Sequence, residues 1–266
     1  MEICNNNQHT NPVHAVLFDF DGTVSTLRWG WEAVMKPLML EMISGGQGWD
    51  EALEQEVDDY INESTGIQTI HQMKWLAQRV QQEGKNPGAS TDPWWYKAEY
   101  NRRLMEQVST RLQALRDGSV PREQFLISGS EAFLKALCDR GVKLYVASGT
   151  DHPDVMNESS ALGLTKYFTQ IAGAPVGSEN CSKEKVIAML MEAEGLQGED
   201  FAVIGDGKVE IRLGQEAGAR TVGLASDEEH LRGINPVKRE RLIKAGADVI
   251  TGDFENRDEL LAFLGL

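Results

Sequence analysis

Cysteine is scarce: the 266 residues include three, Cys4, Cys138 and Cys181, widely spaced and odd in number. With no CxxC pair and no Cys/His cluster, a disulfide framework and a zinc site are both excluded, and reduced thiols of a cytoplasmic protein are expected. Positive charge is also in short supply. Lys and Arg number 26 against 41 Asp and Glu, a formal net charge of -15. Such a surface repels nucleic acid and anionic lipid, so neither is an expected partner. No apolar run approaches the length of a membrane span, and "MEICNNNQHTNP" lacks the basic-then-apolar order of a signal peptide. The first dozen residues read as a frayed lead-in. What remains, 41% hydrophobic and 25% charged, is ordinary globular composition.

From residue 129 onward, β-rich runs alternate with helical patterns. "KLYVAS" (143–148), "FAVIGD" (201–206), "RTVGLAS" (220–226) and "ADVITGD" (247–253) read as short buried strands, with "AVLFDF" as the first of the set. Between them "SEAFLKALCDRG", "SKEKVIAMLMEAEG", "VEIRLGQEAGA" and "RDELLAFLG" carry apolar residues three and four apart and mostly end in Gly, as helices do. The expected fold is α/β, a Rossmann-like parallel sheet covered by helices on both faces. Residues 24–120 have helical patterns and almost no β-branched runs. Leu53, Val57, Tyr60 and Ile61 share one face, as do Ile70, Met73, Ala77 and Val80, and Leu104, Val108, Leu112 and Leu115. All six tryptophans also fall there. An inserted helical domain with its own small core, between an α/β domain of 1–23 and 121–266, accounts for both facts.

The first strand ends in two carboxylates, Asp19 and Asp21, which an ideal strand puts on one side. Like charges so close need a cation or a shared proton, and Mg²⁺ suits carboxylate and carbonyl oxygens. Gly22 permits a sharp turn, and Thr23 offers a hydroxyl and an N–H to an anion. Ser148, Gly149 and Thr150 end another strand with small donors suited to phosphate oxygens, at the edge where open α/β sheets bind ligands. Asp206 ends a third, with Glu210 about one helical turn on. Lys183 opens a helix, a poor place for a cation unless an anion is near. Each signal also has a plain explanation: a DG turn, a Ser-Gly-Thr turn, a helix-capping Asp, a solvated lysine.

Taken together and in this order, the D-x-D-G-T run and the later Ser, Lys and G-D-x-x-x-E elements resemble the haloacid dehalogenase (HAD) superfamily, over about 14–23 and 121–266. An insertion directly after the first motif is where that family carries its C1-type helical cap. "SGSEAFLKALCDRGVKLYVASGT" is similar to the subgroup of phosphoglycolate phosphatase and β-phosphoglucomutase. The resemblance implies that Asp19 is a nucleophile attacking phosphorus and Asp21 the acid and later the base. It implies that Mg²⁺ is held by Asp19, the Asp21 backbone carbonyl and Asp206, with Glu210 a ligand or its neighbour. Ser148 and Lys183 would neutralise the transferring phosphoryl, with Lys185 a competitor for the lysine role. Because HAD-type dehalogenases lack an acid at the second Asp position, Asp21 disfavours dehalogenation. The expected activity is hydrolysis of a small phosphorylated metabolite. A phosphomutase, a phosphonatase using Lys36, Lys74, Lys85 or Lys97, and a non-catalytic phosphate-sensing module are the alternatives. In the insertion, "STGIQT" (64–69) offers Thr65, Gly66, Gln68 and Thr69 as a substrate-facing loop, and Trp29 or Trp31 of "RWGW" as a pocket wall. A tight inter-helix turn and aromatics of the helical core are the plainer explanations of both, and the sequence favours them. The oligomeric state is left open.

Overall fold

The computed structural model describes residues 1–5, 11–179, 183–195 and 197–266. Asn6–Thr10 of the lead-in, and Cys181 and Ser182, lie outside the described residues. Two compact units are formed, one by Met1–Trp29 with Leu112–Leu266 and the other by Gly30–Arg111.

The first unit holds seven strands among its described residues: β1 (Glu2–Ile3), β2 (Ala15–Phe18), β3 (Lys143–Asp151), β4 (Gln170–Ala174), β5 (Phe201–Gly205), β6 (Arg220–Leu224) and β7 (Val249–Thr251). They form one sheet in the order β1-β7-β6-β5-β2-β3-β4, parallel except for β1. Every residue of β2, β5 and β6 is buried, which is why β2 and β5 read as unbroken apolar runs, while β6 opens with buried Arg220 and Thr221. One face carries Leu17, Tyr145, Phe201 and Val203 against Ile187 and Leu190 of helix α7 (Lys183–Glu194). On the other, Phe18 packs edge-on to Phe133 of α5 (Ser130–Asp139), 6.4 Å between ring centroids. Helices on both faces complete the layers.

The topology places the strand ends. The chain runs β2, β3, β4 to one side and then returns for β5, β6, β7 on the other, making the β2/β5 junction a topological switch point. Phe18 is level with both Val146 and Ile204, so the residues that follow leave the sheet at one edge.

Two sequence expectations are corrected along this sheet. Residues 2 and 3 are not frayed: they pair antiparallel with β7, Glu2 opposite Ile250, and the Glu2 carboxylate accepts from Arg239 Nε at 2.7 Å. Strand β3 does not end at Ser148; it shifts register after Ala147 and continues to Asp151, so Ser148, Gly149 and Thr150 lie in a bulged strand rather than a turn. Helices α6 (His152–Ala161) and α9 (Pro236–Lys244) and strand β4 were not anticipated.

The second unit is built from α1 (Trp31–Ser44), α2 (Glu51–Glu63), α3 (Thr69–Glu83) and most of α4 (Pro93–Arg116), within which the unit boundary falls. Asp50 caps α2, its carboxylate accepting from Leu53 N at 2.9 Å. Buried Leu53, Val57, Ile70, Met73, Val80, Leu104 and Val108 keep the expected faces. The tryptophans are not its core. Trp29, Trp49 and Trp95 are exposed and Trp31, Trp75 and Trp94 half-buried, whereas Tyr96 and Tyr100 are buried beside the aliphatics.

Candidate active site

Four strand or helix ends converge within the first unit. After Phe18 the chain enters a tight turn in which Gly22 N donates to Ser25 O (2.8 Å) and Val24 N to Phe20 O (2.9 Å). Gly22 has φ +73°, and a Cβ there would lie 2.5 Å from Asp206 Oδ2, so the turn requires glycine twice over. Thr23 is fully buried, and its hydroxyl has no hydrogen-bond partner among the described residues.

Asp19 and Asp21 both lie beyond β2, which ends at Phe18, so the strand geometry that would put them on one side does not apply, and their hydrogen-bond partners differ. Buried Asp19 accepts from Lys183 Nζ at 2.8 Å, and Lys183, first residue of α7, also donates to Glu210 Oε2 at 3.0 Å. The anions expected near Lys183 are thus the site's own carboxylates; Lys185 is exposed. Burial pushes the Asp19 carboxyl well above its ordinary range despite Lys183, because Glu210 and Asp206 add like charge. Burial opposes the Lys183 ammonium, but Asp19 and Glu210 outweigh it and raise its pKa.

Glu210 is seated by glycines. It is the third residue of α8 (Lys208–Glu216), and its Oε1 accepts from Gly207 N at 2.6 Å. A Cβ at Gly205 would fall 2.4 Å from its Cγ, so G-D-G leaves room for that carboxylate. One oxygen each from Asp19, Asp206 and Glu210 lie within 4.8 Å of one another, all three residues buried. Three hard oxygen donors, with Lys183 shared by Asp19 and Glu210 and a second ammonium, Lys238, on Asp206, fit a divalent cation such as Mg²⁺. The Asp21 carboxylate is not among them.

Asp21 Oδ2 instead accepts from Thr150 Oγ1 at 2.8 Å and Ser148 Oγ at 3.3 Å, and Oδ1 stands 4.0 Å from Arg28 Nε with no hydrogen bond. Burial raises the Asp21 pKa, opposed by Arg28 and the two hydroxyls. Arg28 is buried and clamped by fully buried Glu158 of α6, with Nη2 to Oε1 at 2.6 Å and Nε to Oε1 at 3.0 Å. Asp154 adds a third carboxylate at 3.2 Å. Burial pushes Glu158 up to about 7 although Arg28 pairs with it.

On the far side of Asp206 lies Lys238 of α9, whose Nζ donates to Asp206 Oδ2 at 2.8 Å. Arg241 Nη2 donates to the Asp206 backbone carbonyl at 3.0 Å. Burial raises Asp206, but Lys238 and Arg241 bring it below its ordinary value.

Sequence reasoning missed Arg28, Glu158, Glu228 and Lys238. Arg28 stood in view within "RWGW", read for its tryptophans. For Lys238 the available signal was Asn-Pro at 235–236, a helix start in which the Asn235 side chain accepts from Val237 N and Lys238 N. Thr65 and Gly66 lie in the second unit, in the turn between α2 and α3. Gly66 has φ +90°; Thr65 is buried and donates its hydroxyl to Ile61 O, in the last turn of α2, at 3.0 Å.

Residues 13–218 match the model of a family described as haloacid dehalogenase-like hydrolase. A 5'-nucleotidase of Pseudomonas aeruginosa is 29% identical over 119 residues, 43% of this chain and 53% of that protein. A phosphoglycolate phosphatase of Escherichia coli is 23% identical over 215 residues, 80% of this chain and 81% of that one. A crystal structure of β-phosphoglucomutase from Clostridium difficile aligns with a TM-score of 0.62 at 17% identity, covering 94% of this chain and 98% of that one. At that identity the likeness speaks for the fold.

Proposed function

Because this chain belongs to the haloacid dehalogenase-like hydrolases, we propose that it is a Mg²⁺-dependent phosphatase acting on a small phosphomonoester through an aspartyl phosphate. The observation that carries the reading is the separation of the two carboxylates. Asp19 is buried beside Lys183, whereas Asp21 is held by Thr150 and Ser148. One environment suits a nucleophile next to positive charge, the other a proton carrier with a raised pKa.

Asp19 attacks phosphorus as the bond from phosphorus to the ester oxygen breaks, and Asp21 gives its proton to that leaving oxygen. Asp21 then takes a proton from water, which attacks the aspartyl phosphate; the bond from phosphorus to Asp19 breaks and inorganic phosphate is released. Lys183 and the Ser148 and Thr23 hydroxyls stabilise the phosphoryl oxygens. Asp19, Asp206 and Glu210, with the Asp21 backbone carbonyl, would hold Mg²⁺, which supplies charge neutralisation and lowers the raised Asp19 pKa. The helical unit occupies the place in the chain of the family's C1-type cap and would select the substrate. Phosphatases and a nucleotidase among the relatives favour a phosphorylated metabolite as that substrate.

The test is phosphate release from p-nitrophenyl phosphate and a panel of phosphomonoesters, with Mg²⁺ and with EDTA. Turnover should require metal and vanish in Asp19→Asn. A folded, Mg²⁺-binding protein that hydrolyses none of them would overturn the phosphatase reading.

A further inference from the structure

The acidic cluster is braced by a cation that lies outside every motif segment. Lys238 Nζ is 2.8 Å from Asp206 Oδ2, 3.0 Å from Ser226 Oγ and 2.6 Å from Glu228 Oε1. Three acceptors match the three donors of an ammonium. Lys238 is 8% exposed, and a buried lysine is tolerated only when so paired. Its partners come from two elements: Asp206 follows β5, and Ser226 and Glu228 follow β6. The network also reaches the turn after β2, since Ser226 Oγ donates to the Gly22 carbonyl. A Cβ on Gly22 would meet both Asp206 Oδ2 and Glu228 Oε1, at 2.5 and 3.1 Å. Asp206, Glu228, Ser226 and Gly22 are therefore packed around one ammonium.

We propose that Lys238, itself anchored by Glu228 and Ser226, is a positioning residue for the divalent-cation site: by fixing one oxygen of Asp206 it presents the other for coordination. The inference rests on the reading of Asp206 as a metal ligand. A carboxylate at a strand end rotates about its last torsion unless something holds it. Arg241 donates to the Asp206 backbone carbonyl, whereas Lys238 donates to the side chain and fixes its Oδ2. Partners that orient a metal ligand in this way are worth about 10–100-fold in metal affinity or activity. Simple charge acts in the opposite direction, because an ammonium beside the site repels a cation. The two effects are separable: Lys238→Met combined with Glu228→Gln removes one positive and one negative charge together, leaving the net charge unchanged and the anchor gone.

The experiment is calorimetric titration of Mg²⁺ into the full chain, wild type and K238M/E228Q, with the Mg²⁺ dependence of phosphate release measured in parallel. The double variant should bind Mg²⁺ about tenfold or more weakly, with the KM for Mg²⁺ displaced more than kcat. Equal affinity in a folded double variant overturns the proposal. If the double variant does not fold, Ser226→Ala keeps both charges and removes one of the anchors. A severalfold weaker Mg²⁺ affinity there supports the proposal, and an unchanged one overturns it. Wild-type protein that binds no Mg²⁺ would instead remove the metal-site reading.

Discussion

At the scale of single residues, Gly22 carries two geometric demands at once. Its φ of +73° is one that side-chain-bearing residues avoid, at a cost of about 1–2 kcal/mol. Its missing Cβ leaves the space that Asp206 Oδ2 fills. Gly22→Ala should therefore lower stability by at least about 1 kcal/mol in urea denaturation and also weaken Mg²⁺ binding, because Asp206 must move. A second residue prediction concerns Glu158. Its carboxyl is pushed up to about 7 in the folded protein from an ordinary value of 4.5 because burial penalises its charge. A carboxyl that ionises less readily in the folded state contributes stability that is complete below 4.5 and declines as pH rises toward 7. Urea midpoints measured at pH 5 and pH 7.5 should fall between those values in the wild type, and Glu158→Gln should flatten that fall. An identical pH dependence in the variant would refute it.

At the scale of elements, the strands that build the site were readable and the pieces that brace it were not. Strands β2 and β5 are buried along their whole length and announce themselves as apolar runs ending in Asp19 and Asp206, and the Val-Gly-Leu end of β6 leads into the Ser226 loop. Helix α9 buries only Lys238 and Leu242. With so thin an apolar stripe, "PVKRERLIK" gives periodicity little to find, and its one clear mark is the Asn-Pro start. Strand β4, "QIAGA", is short and lies at the sheet edge, where half-buried positions blur the pattern. The spacing of Asp19 and Asp21 suggested a shared side because strand geometry was extended two residues too far. The structure ends β2 at Phe18, and the turn sends the two carboxylates to different partners. Strand β1 was lost to its polar surroundings, yet Cys4 N donates to Asp248 O at 2.8 Å and Asn5 Nδ2 to Gly246 O at 3.1 Å. Deleting residues 1–5 should cost about 1 kcal/mol, which for a chain of this size is about 2–4 °C in Tm. It also uncovers an edge of β7, so aggregation on heating should increase. Unchanged Tm and light scattering would show that the pairing adds nothing.

At the scale of the whole molecule, charge sets the terms on which a phosphorylated substrate arrives. The chain carries a formal -15, and its relatives and site both favour an anionic ester. Two fields of opposite sign act on such a ligand. The protein's net charge repels it over long distances, through water, where screening sets in at about 8 Å at 0.15 M ionic strength. In the proposed reaction Lys183 would attract it at contact range from a buried position, where salt reaches poorly. Added salt should therefore weaken the repulsion more than the attraction. With Mg²⁺ held saturating, kcat/KM for a dianionic phosphomonoester should rise as sodium chloride is increased from about 0.02 to 0.15 M, chiefly through a lower KM. A fall over the same range would mean that attraction near the site governs the approach already at long range. The salt titration thus separates the charge of the whole surface from the charge of the site.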